Sequence, residues 1–324
     1  MKILLFAFAI FSSFFSLAQG CSDAGFCTMG AMKPDQHYSE KMDVKLRSIE
    51  LNTYRGTTTL TPIVYVLTLD ATFALSENVF FQAKIPYQKV VGNFGETSGV
   101  GDLSFSLTRS LGELYNGSIS GTLGAKIPTN HSNLNDNSKW GLDNDLPMYY
   151  QISLGSYDLV AGSSWINEKW LFATGVQVAL TDNRNDFRWG NPDNGPSWRA
   201  NYKSGEGKDY VEKYALANNL RRGIDVMFRA ERNVRFTNFN FNVGLLPIFR
   251  VTPDIRTDFS NDDRRIKEKG TTGLALSALA GGGYSFNVNS SVKVILGKKL
   301  LQRRVNPDGL TREFVSSVSY VYRF

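Results

Sequence analysis

The sequence has few histidines and cysteines, side chains on which many catalytic and metal centres depend. Its 324 residues include two histidines, His37 and His131, and two cysteines, Cys21 and Cys27. Two thiols without a neighbouring histidine do not complete a typical tetrahedral zinc site. The formal charge of +6 is spread along the chain without a lysine-rich tail or a nucleic-acid module. We therefore expect no metal, no other cofactor and no nucleic-acid partner.

Long hydrophobic runs are also missing once the first residues are passed. A membrane helix needs about 20 consecutive apolar residues, and no such run follows the N-terminus. Hydrophobic residues make up 42% of the chain and its mean hydropathy is −0.23. These averages are typical of a water-soluble protein, but they also fit a membrane β-barrel, in which only half of each strand faces lipid.

The N-terminus has the features of an export signal. Lys2 precedes an apolar run from Ile3 to Phe15, and small residues stand at the third and first positions before a cut after Ala18. This pattern predicts a signal peptide over residues 1–18 and a mature chain that begins at Gln19. A lipoprotein cut before Cys21 is the alternative, although the placing of Leu17 fits it poorly.

The segment that follows the signal lacks strand periodicity. Residues 19–42 are predicted to form an N-terminal periplasmic or plug segment. Export places the chain in an oxidising compartment, and Cys21 and Cys27 are separated by five residues. An even pair at close spacing predicts one small disulfide loop.

Alternation with a period of two dominates residues 43–324. Phe239, Phe241, Val243 and Leu245 would share one face of a strand, and the asparagines between them would share the other. A soluble β-sandwich would alternate in the same way, so the pattern alone leaves the solvent open. About twelve strands are predicted, at residues 43–55, 60–75, 79–90, 100–110, 116–127, 147–164, 169–181, 212–230, 234–249, 272–286, 290–300 and 311–324.

The connections between these strands alternate between short and long, with the first connection, near Gly56, as the exception. The predicted short turns are Ser76–Asn78, Leu111–Tyr115, Trp165–Glu168, Glu231–Asn233 and Asn287–Asn289. The predicted long loops are Val91–Gly99, Pro128–Leu146, Asp182–Val211, Arg250–Thr271 and Leu301–Leu310. Short turns at one rim and long loops at the other are typical of outer-membrane barrels. The sequence thus predicts an all-β chain, an antiparallel up-and-down β-barrel that contacts the lipid of the bacterial outer membrane.

The last strand carries a further signal. Phe314, Ser316, Val318, Tyr320, Tyr322 and Phe324 occupy every second position up to the C-terminus. A terminal strand that ends on an aromatic residue resembles the closing strand of bacterial outer-membrane barrels. In that family the terminal pattern is read by the barrel-assembly machinery, so the resemblance assigns an assembly signal to Tyr320, Tyr322 and Phe324.

Three short motifs extend the resemblance over residues 43–324. They are Gly99-Val100-Gly101-Asp102-Leu103, Lys126-Ile127-Pro128-Thr129, and Gln151 followed by Leu154-Gly155-Ser156-Tyr157-Asp158-Leu159. They resemble the outer-membrane transporter family associated with aromatic (phenol) degradation, distant relatives of the long-chain fatty acid channel. The resemblance implies passive uptake of small, often hydrophobic molecules. The N-terminal hatch motif of the fatty acid channel has no match here. From the residues alone, Asp102 could bind an ion in the lumen, but an Asx-type contact that holds a turn is the better interpretation.

Charged and polar side chains are predicted to line the lumen. The candidates are Asp70, Gln82, Lys84, Lys126, Gln151, Asp225, Arg229 and Lys293. Unpaired bases would favour anionic solutes, whereas pairing with Asp70 and Asp225 would fill a narrow lumen. We therefore expect a passive channel for small, hydrophobic or anionic solutes, with a structural or surface-interaction barrel as the alternative.

An enzymatic role has little support in the sequence. Asn130-His131-Ser132-Asn133 contains the residue types used by outer-membrane phospholipases. Neighbours in one loop do not produce the geometry of nucleophile, base and orienting group, which normally joins distant residues. We expect no catalytic residues.

Overall fold

The structure, a computed structural model, describes residues 29–33, 46–57, 61–135, 145–189, 214–258, 263–309 and 312–324. These residues form fifteen strands, together with short 3-10 helices at Gly30–Met32 and Met148–Tyr150. The strands are β1 (Leu46–Thr57), β2 (Ile63–Ser76), β3 (Val79–Gly92), β4 (Gly95–Val100), β5 (Leu103–Leu114), β6 (Gly117–Ile127), β7 (Asp158–Ile166), β8 (Trp170–Ala179), β9 (Asp225–Arg235), β10 (Phe239–Arg250), β11 (Ile255–Asp258), β12 (Arg264–Lys267), β13 (Gly273–Ser285), β14 (Ser290–Leu301) and β15 (Phe314–Arg323).

The main sheet closes on itself. Every neighbouring pair is antiparallel, and β15 returns to β1 with Ser48 opposite Arg323 and Thr57 opposite Phe314. Strands β4 and β5 share one position, and β11 and β12 form a separate hairpin in a loop. The described residues therefore form a closed barrel of twelve strand positions, which confirms the predicted fold class. A closed sheet leaves no edge, so its backbone groups are satisfied without water.

The two faces of the wall differ as the alternation predicts. Along β15, Val315, Ser319 and Val321 are buried, whereas Val318 and Tyr320 are exposed. Large apolar side chains are exposed around the wall, among them Leu51, Leu67, Tyr87, Leu107, Phe172, Phe228, Phe241, Val294 and Tyr320. Buried polar side chains occupy the inner face. An apolar outer surface of this extent requires lipid, because water would penalise its exposure.

Short turns gather at the rim where the C-terminus lies. They span residues 77–78, 115–116, 167–169, 236–238 and 286–289. Tyr115 and Asn116 both have positive φ, as a type I′ hairpin turn requires. Two predicted turn positions were wrong: Leu111–Leu114 belongs to β5, and Glu231–Asn233 belongs to β9.

The opposite rim, called the mouth below, carries the long connections. Two predicted strands begin later than expected, because β7 starts at Asp158 and β9 at Asp225. Residues 148–156 instead fold into the barrel, so their apolar side chains are buried inside the mouth rather than against lipid. The predicted loop Val91–Gly99 was also wrong, since it forms the hairpin between β3 and β4.

A β-bulge separates β4 from β5. Strand β3 pairs with β5 from Val79 to Lys84 and with β4 from Tyr87 to Gly92, but the two registers differ by one residue. The Gly101 amide still donates to the Pro86 carbonyl oxygen at 2.8 Å, so the ladder continues across the bulge. The extra residue turns Asp102 into the barrel, where it is buried.

In the described part of the chain, no helix has the length and apolar character needed to cross a membrane.

Candidate functional site: the lumen and its N-terminal insert

A short piece of the N-terminal region, Met29–Lys33, lies inside the barrel and is called the insert below. Met29 and Met32 are buried in an apolar cluster with side chains of β7 to β10 and β13. A Cβ atom at Gly162 or Gly175 would overlap the Met32 sulfur. These two glycines therefore leave the space in the wall that Met32 fills.

The backbone of the insert is held by polar side chains of the wall. The Gly30 amide donates to Gln82 Oε1 at 2.9 Å, and the Ala31 amide donates to Thr122 Oγ1 at 2.9 Å. Arg229 Nη1 donates to the Met32 carbonyl oxygen at 3.1 Å. The wall thus recognises the insert by directed hydrogen bonds as well as by packing.

The insert ends on an ammonium group that joins two strands. Lys33 Nζ lies 2.6 Å from Glu50 Oε2 on β1 and 3.0 Å from Asp70 Oδ2 on β2. Burial lowers the pKa of Lys33, but the neighbouring Asp70 and Glu50 carboxylates outweigh burial and raise this pKa above its ordinary value. Lys33 therefore stays charged. A second base, Lys84, also lies near Asp70, but its Nζ atom is 3.7 Å from Oδ2 and thus farther than that of Lys33.

The three motifs of the sequence resemblance meet at the mouth. Asp102 Oδ2 lies 3.1 Å from Lys126 Nζ and accepts the Leu154 amide at 3.0 Å. The expected Asx-type turn at Asp102 was wrong, because this carboxylate anchors the inward segment 145–157 instead. A Cβ atom at Gly101 would overlap the Gln88 amide group and lie 3.0 Å from the Ile152 carbonyl oxygen. Glycine is therefore needed where the inward segment packs against the wall.

Aromatic side chains from several connections also pack together at the mouth. Phe94 at the tip of the β3–β4 hairpin contacts Tyr150 and Tyr214, with ring centroids 5.8 and 5.1 Å apart. Its amide donates to the Tyr150 hydroxyl at 3.1 Å. Tyr149 packs edge-on against Tyr214 at 4.7 Å. This buried cluster joins three long connections and narrows the mouth.

A charged cluster anchors loops to the wall at the mouth end of β9 and β10. Arg250 on β10 lies 2.5 Å from Asp225 on β9, 2.8 Å from Asp254 and 3.0 Å from Asp308. The last two carboxylates belong to separate connections, so one guanidinium ties two loops to the wall. Buried bases matched by carboxylates in this way rigidify their surroundings when every partner is present.

The structure places seven predicted lumen residues on the inner face of the strands: Asp70, Gln82, Lys84, Lys126, Asp225, Arg229 and Lys293. Gln151 lies in the inward segment rather than on a strand, and it braces that segment with hydrogen bonds to Leu134 and Leu146. The part of these residues in solute passage stays a prediction. Sequence reasoning missed Glu50 and Lys33, whose pairing no local pattern signals.

Other predicted residues lie elsewhere. Tyr320, Tyr322 and Phe324 project from the outer face, and their role as an assembly signal stays a prediction. In the loop after β6, Ser132 Oγ accepts the Arg184 amide at 3.0 Å, and Asn133 donates to Asp186 at 2.9 Å. The predicted signal peptide and the predicted disulfide Cys21–Cys27 lie outside the described residues.

Comparisons with known proteins bear on the fold. No family model and no curated protein matches the sequence. The COG4313 outer membrane channel from Pseudomonas putida F1 is similar in structure, with a TM-score of 0.55 and 16% identity over 90% of this chain and 99% of that one. The CymD monoaromatic hydrocarbon channel gives a TM-score of 0.41 and 11% identity, over 96% of this chain and 95% of that one. The first likeness, with the closed barrel and its apolar exterior, establishes the fold of a bacterial outer-membrane β-barrel.

Proposed function

We propose that the protein is a passive outer-membrane channel for small solutes, held closed by the insert and by the inward segment 145–157. The observation that carries the proposal is the way in which the lumen is filled. Inward positions of the wall at Gly124, Gly162 and Gly175 lie against the insert's methionine side chains. Wall side chains can fill a barrel of about eight strands, and a barrel of twelve strand positions is wider. Here the wall leaves room that a separate segment occupies.

The charges of the lumen bear on the class of solute. Lys126 pairs with Asp102, Arg229 lies 2.5 Å from Glu231, and Lys84 lies 3.7 Å from Asp70. A wall with bases and acids in such proximity has little preference for the sign of a small ion. The proposal therefore gives no weight to selection for anions. It assigns small amphipathic solutes to the channel, because the lumen combines these charges with the apolar cluster around Met29 and Met32.

Single-channel recording in planar bilayers tests the proposal. Lys33→Met removes both ion contacts of the insert and keeps most of its length. A loss of about 1.4 kcal/mol of closing free energy would raise the ratio of open to closed states about tenfold. We expect Lys33→Met to show more frequent and longer open steps than the wild type.

Lys89→Met provides the matched control, because Lys89 is exposed and its side chain keeps 49% of its accessible surface in its pair with Glu96. We expect its recordings to match the wild type. Silent bilayers for both the wild type and Lys33→Met, with folding verified by heat-modifiable gel mobility, would refute the channel. That result would favour the alternative, a barrel with a structural or surface-interaction role. The ion pairs by which Arg250 holds Asp254 and Asp308, and hence two loops, support this alternative.

A further inference from the structure

We infer that Glu50 and Asp70 form a lumenal binding site for the ammonium group of an amphipathic amine, and that Lys33 occupies this site as an internal substitute for the solute. The inference rests on the proposed channel and names the class of solute for which its lumen is built. It departs from the expectation of anionic solutes.

The two carboxylates face each other across neighbouring strands. Glu50 on β1 and Asp70 on β2 are direct partners in the antiparallel register, and both are buried. Like charges directly opposite on one face of a sheet destabilise it. A cation between them removes this cost, and Lys33 Nζ contacts both carboxylates within hydrogen-bond distance.

Asp70 is further oriented by its neighbour on β3. Gln82 Nε2 donates to both Asp70 oxygens, at 3.0 and 2.9 Å. Gln82 Oε1 in turn accepts the Gly30 amide of the insert. The carboxylate is therefore held in one orientation by the wall, as a preorganised site for a small hydrogen-bond donor requires.

The rest of the insert indicates what should accompany the ammonium. Met29 and Met32 place flexible, unbranched side chains in an apolar socket beside Gly162 and Gly175. Arg229 on the wall donates a hydrogen bond to the backbone carbonyl oxygen of Met32 in the insert. A ligand that reproduces these contacts has a primary ammonium, an apolar chain and, in its preferred form, a hydrogen-bond acceptor.

The wall also carries a countercharge for the unoccupied site. Lys84 stands directly opposite Asp70 in the β2–β3 register and lies 3.7 Å from Asp70 Oδ2. This contact is longer than either contact made by Lys33. With the insert released, Lys84 can balance one of the two buried carboxylates but not both, so an incoming ammonium can take the place of Lys33 through the shorter contacts.

Titration calorimetry on the full chain in detergent micelles tests the site directly, without requiring conduction. The probes are hexylammonium, hexanoate and hexanol, which share a chain length and differ in charge. We expect Lys33→Met to bind hexylammonium at least tenfold more tightly than the wild type does, and at least tenfold more tightly than it binds hexanoate. Hexanol should fall between the two ions.

The second part of the test removes the charge of each carboxylate in turn. In the Lys33→Met background, Glu50→Gln and Asp70→Asn should each abolish the preference for hexylammonium, and either one suffices if the other does not fold. Equal binding of hexylammonium and hexanoate by Lys33→Met, or an unchanged preference after removal of the acid, would overturn the site. Binding with silent bilayers would overturn only the channel, and open channels without the preference would overturn only the site.

Discussion

At the scale of single residues, the ion pairs of this barrel differ mainly in how far they are removed from water. The side chains of Lys126 and Asp102 keep 3% and 2% of their accessible surface, whereas those of Lys89 and Glu96 keep 49% and 56%. An exposed pair is worth at most about 1 kcal/mol. Removal of one member of a buried pair costs about 3 to 5 kcal/mol, because the other charge stays buried.

Asp102→Asn should therefore lower the free energy of unfolding by about 3 kcal/mol. Asparagine can still accept the Leu154 amide, so the loss isolates the charge opposite Lys126. Urea-induced unfolding in detergent micelles measures the change. Lys89→Met is the matched control and should change the free energy of unfolding by less than about 1 kcal/mol. Equal losses in the two variants would contradict the assignment of Asp102 as the buried anchor.

The residue scale also marks where prediction from the sequence stops. The inward direction of Asp70 and Lys126 follows from alternation, because neighbours on a strand point to opposite faces. Asp102 continues the inward set of β5, with Ser104 and Ser106, but it breaks the alternation of β4 through a bulge, which depends on the register of β3 against both strands. Gln151 falls within the strand predicted at residues 147–164, but its apolar neighbours are buried in the mouth instead of facing lipid.

At the scale of elements, the insert is the part of the structure that the sequence predicted least. Residues 19–42 were expected to be a periplasmic or plug segment, and Met29–Lys33 lies in the lumen. Its polar partners are distant in sequence, from 17 positions for Glu50 to 197 for Arg229. A five-residue segment with such partners has no periodicity of its own, so only the closed barrel brings its contacts together.

Gly175→Val should displace the insert without changing any charge. A Cβ atom at this inward position of β8 would overlap the Met32 sulfur, and overpacking of a filled site forces its contents to move. Valine is itself favoured in strands, so the wall should persist. We expect open steps in planar bilayers to increase, as they should for Lys33→Met.

The control for this variant lies on the outer face of the barrel wall. A Cβ atom at Gly121 of β6 meets only the Leu111 side chain, at 3.4 Å, and so Gly121→Val adds the same volume without touching the insert. Its recordings should match the wild type. Identical open-state occupancy in Gly175→Val and Gly121→Val would mean that Met32 does not hold the channel closed.

At the scale of the whole molecule, strand existence was predictable because lipid and lumen impose opposite polarity on the two faces of every strand. The rims were less predictable, since β7 and β9 begin where loops leave the lumen, a boundary that alternation does not mark. Closure depends on β15, whose pairing with β1 runs from Arg323 to Phe314. The Phe324 amide extends this seam by donating to the Arg47 carbonyl oxygen at 3.0 Å.

Phe324→Ala should impair assembly more than it impairs the finished barrel. In the folded state the Phe324 ring is 64% exposed and contacts Tyr322 edge-on, with centroids 5.0 Å apart, so its removal costs little packing. Phe286→Ala is the matched control, because Phe286 lies in a short turn and is 58% exposed. Quantitative immunoblots of outer-membrane fractions should show several-fold less Phe324→Ala than Phe286→Ala, while the two purified barrels unfold at similar urea concentrations. Equal outer-membrane levels would mean that the terminal aromatic serves the seam alone and is not read during assembly.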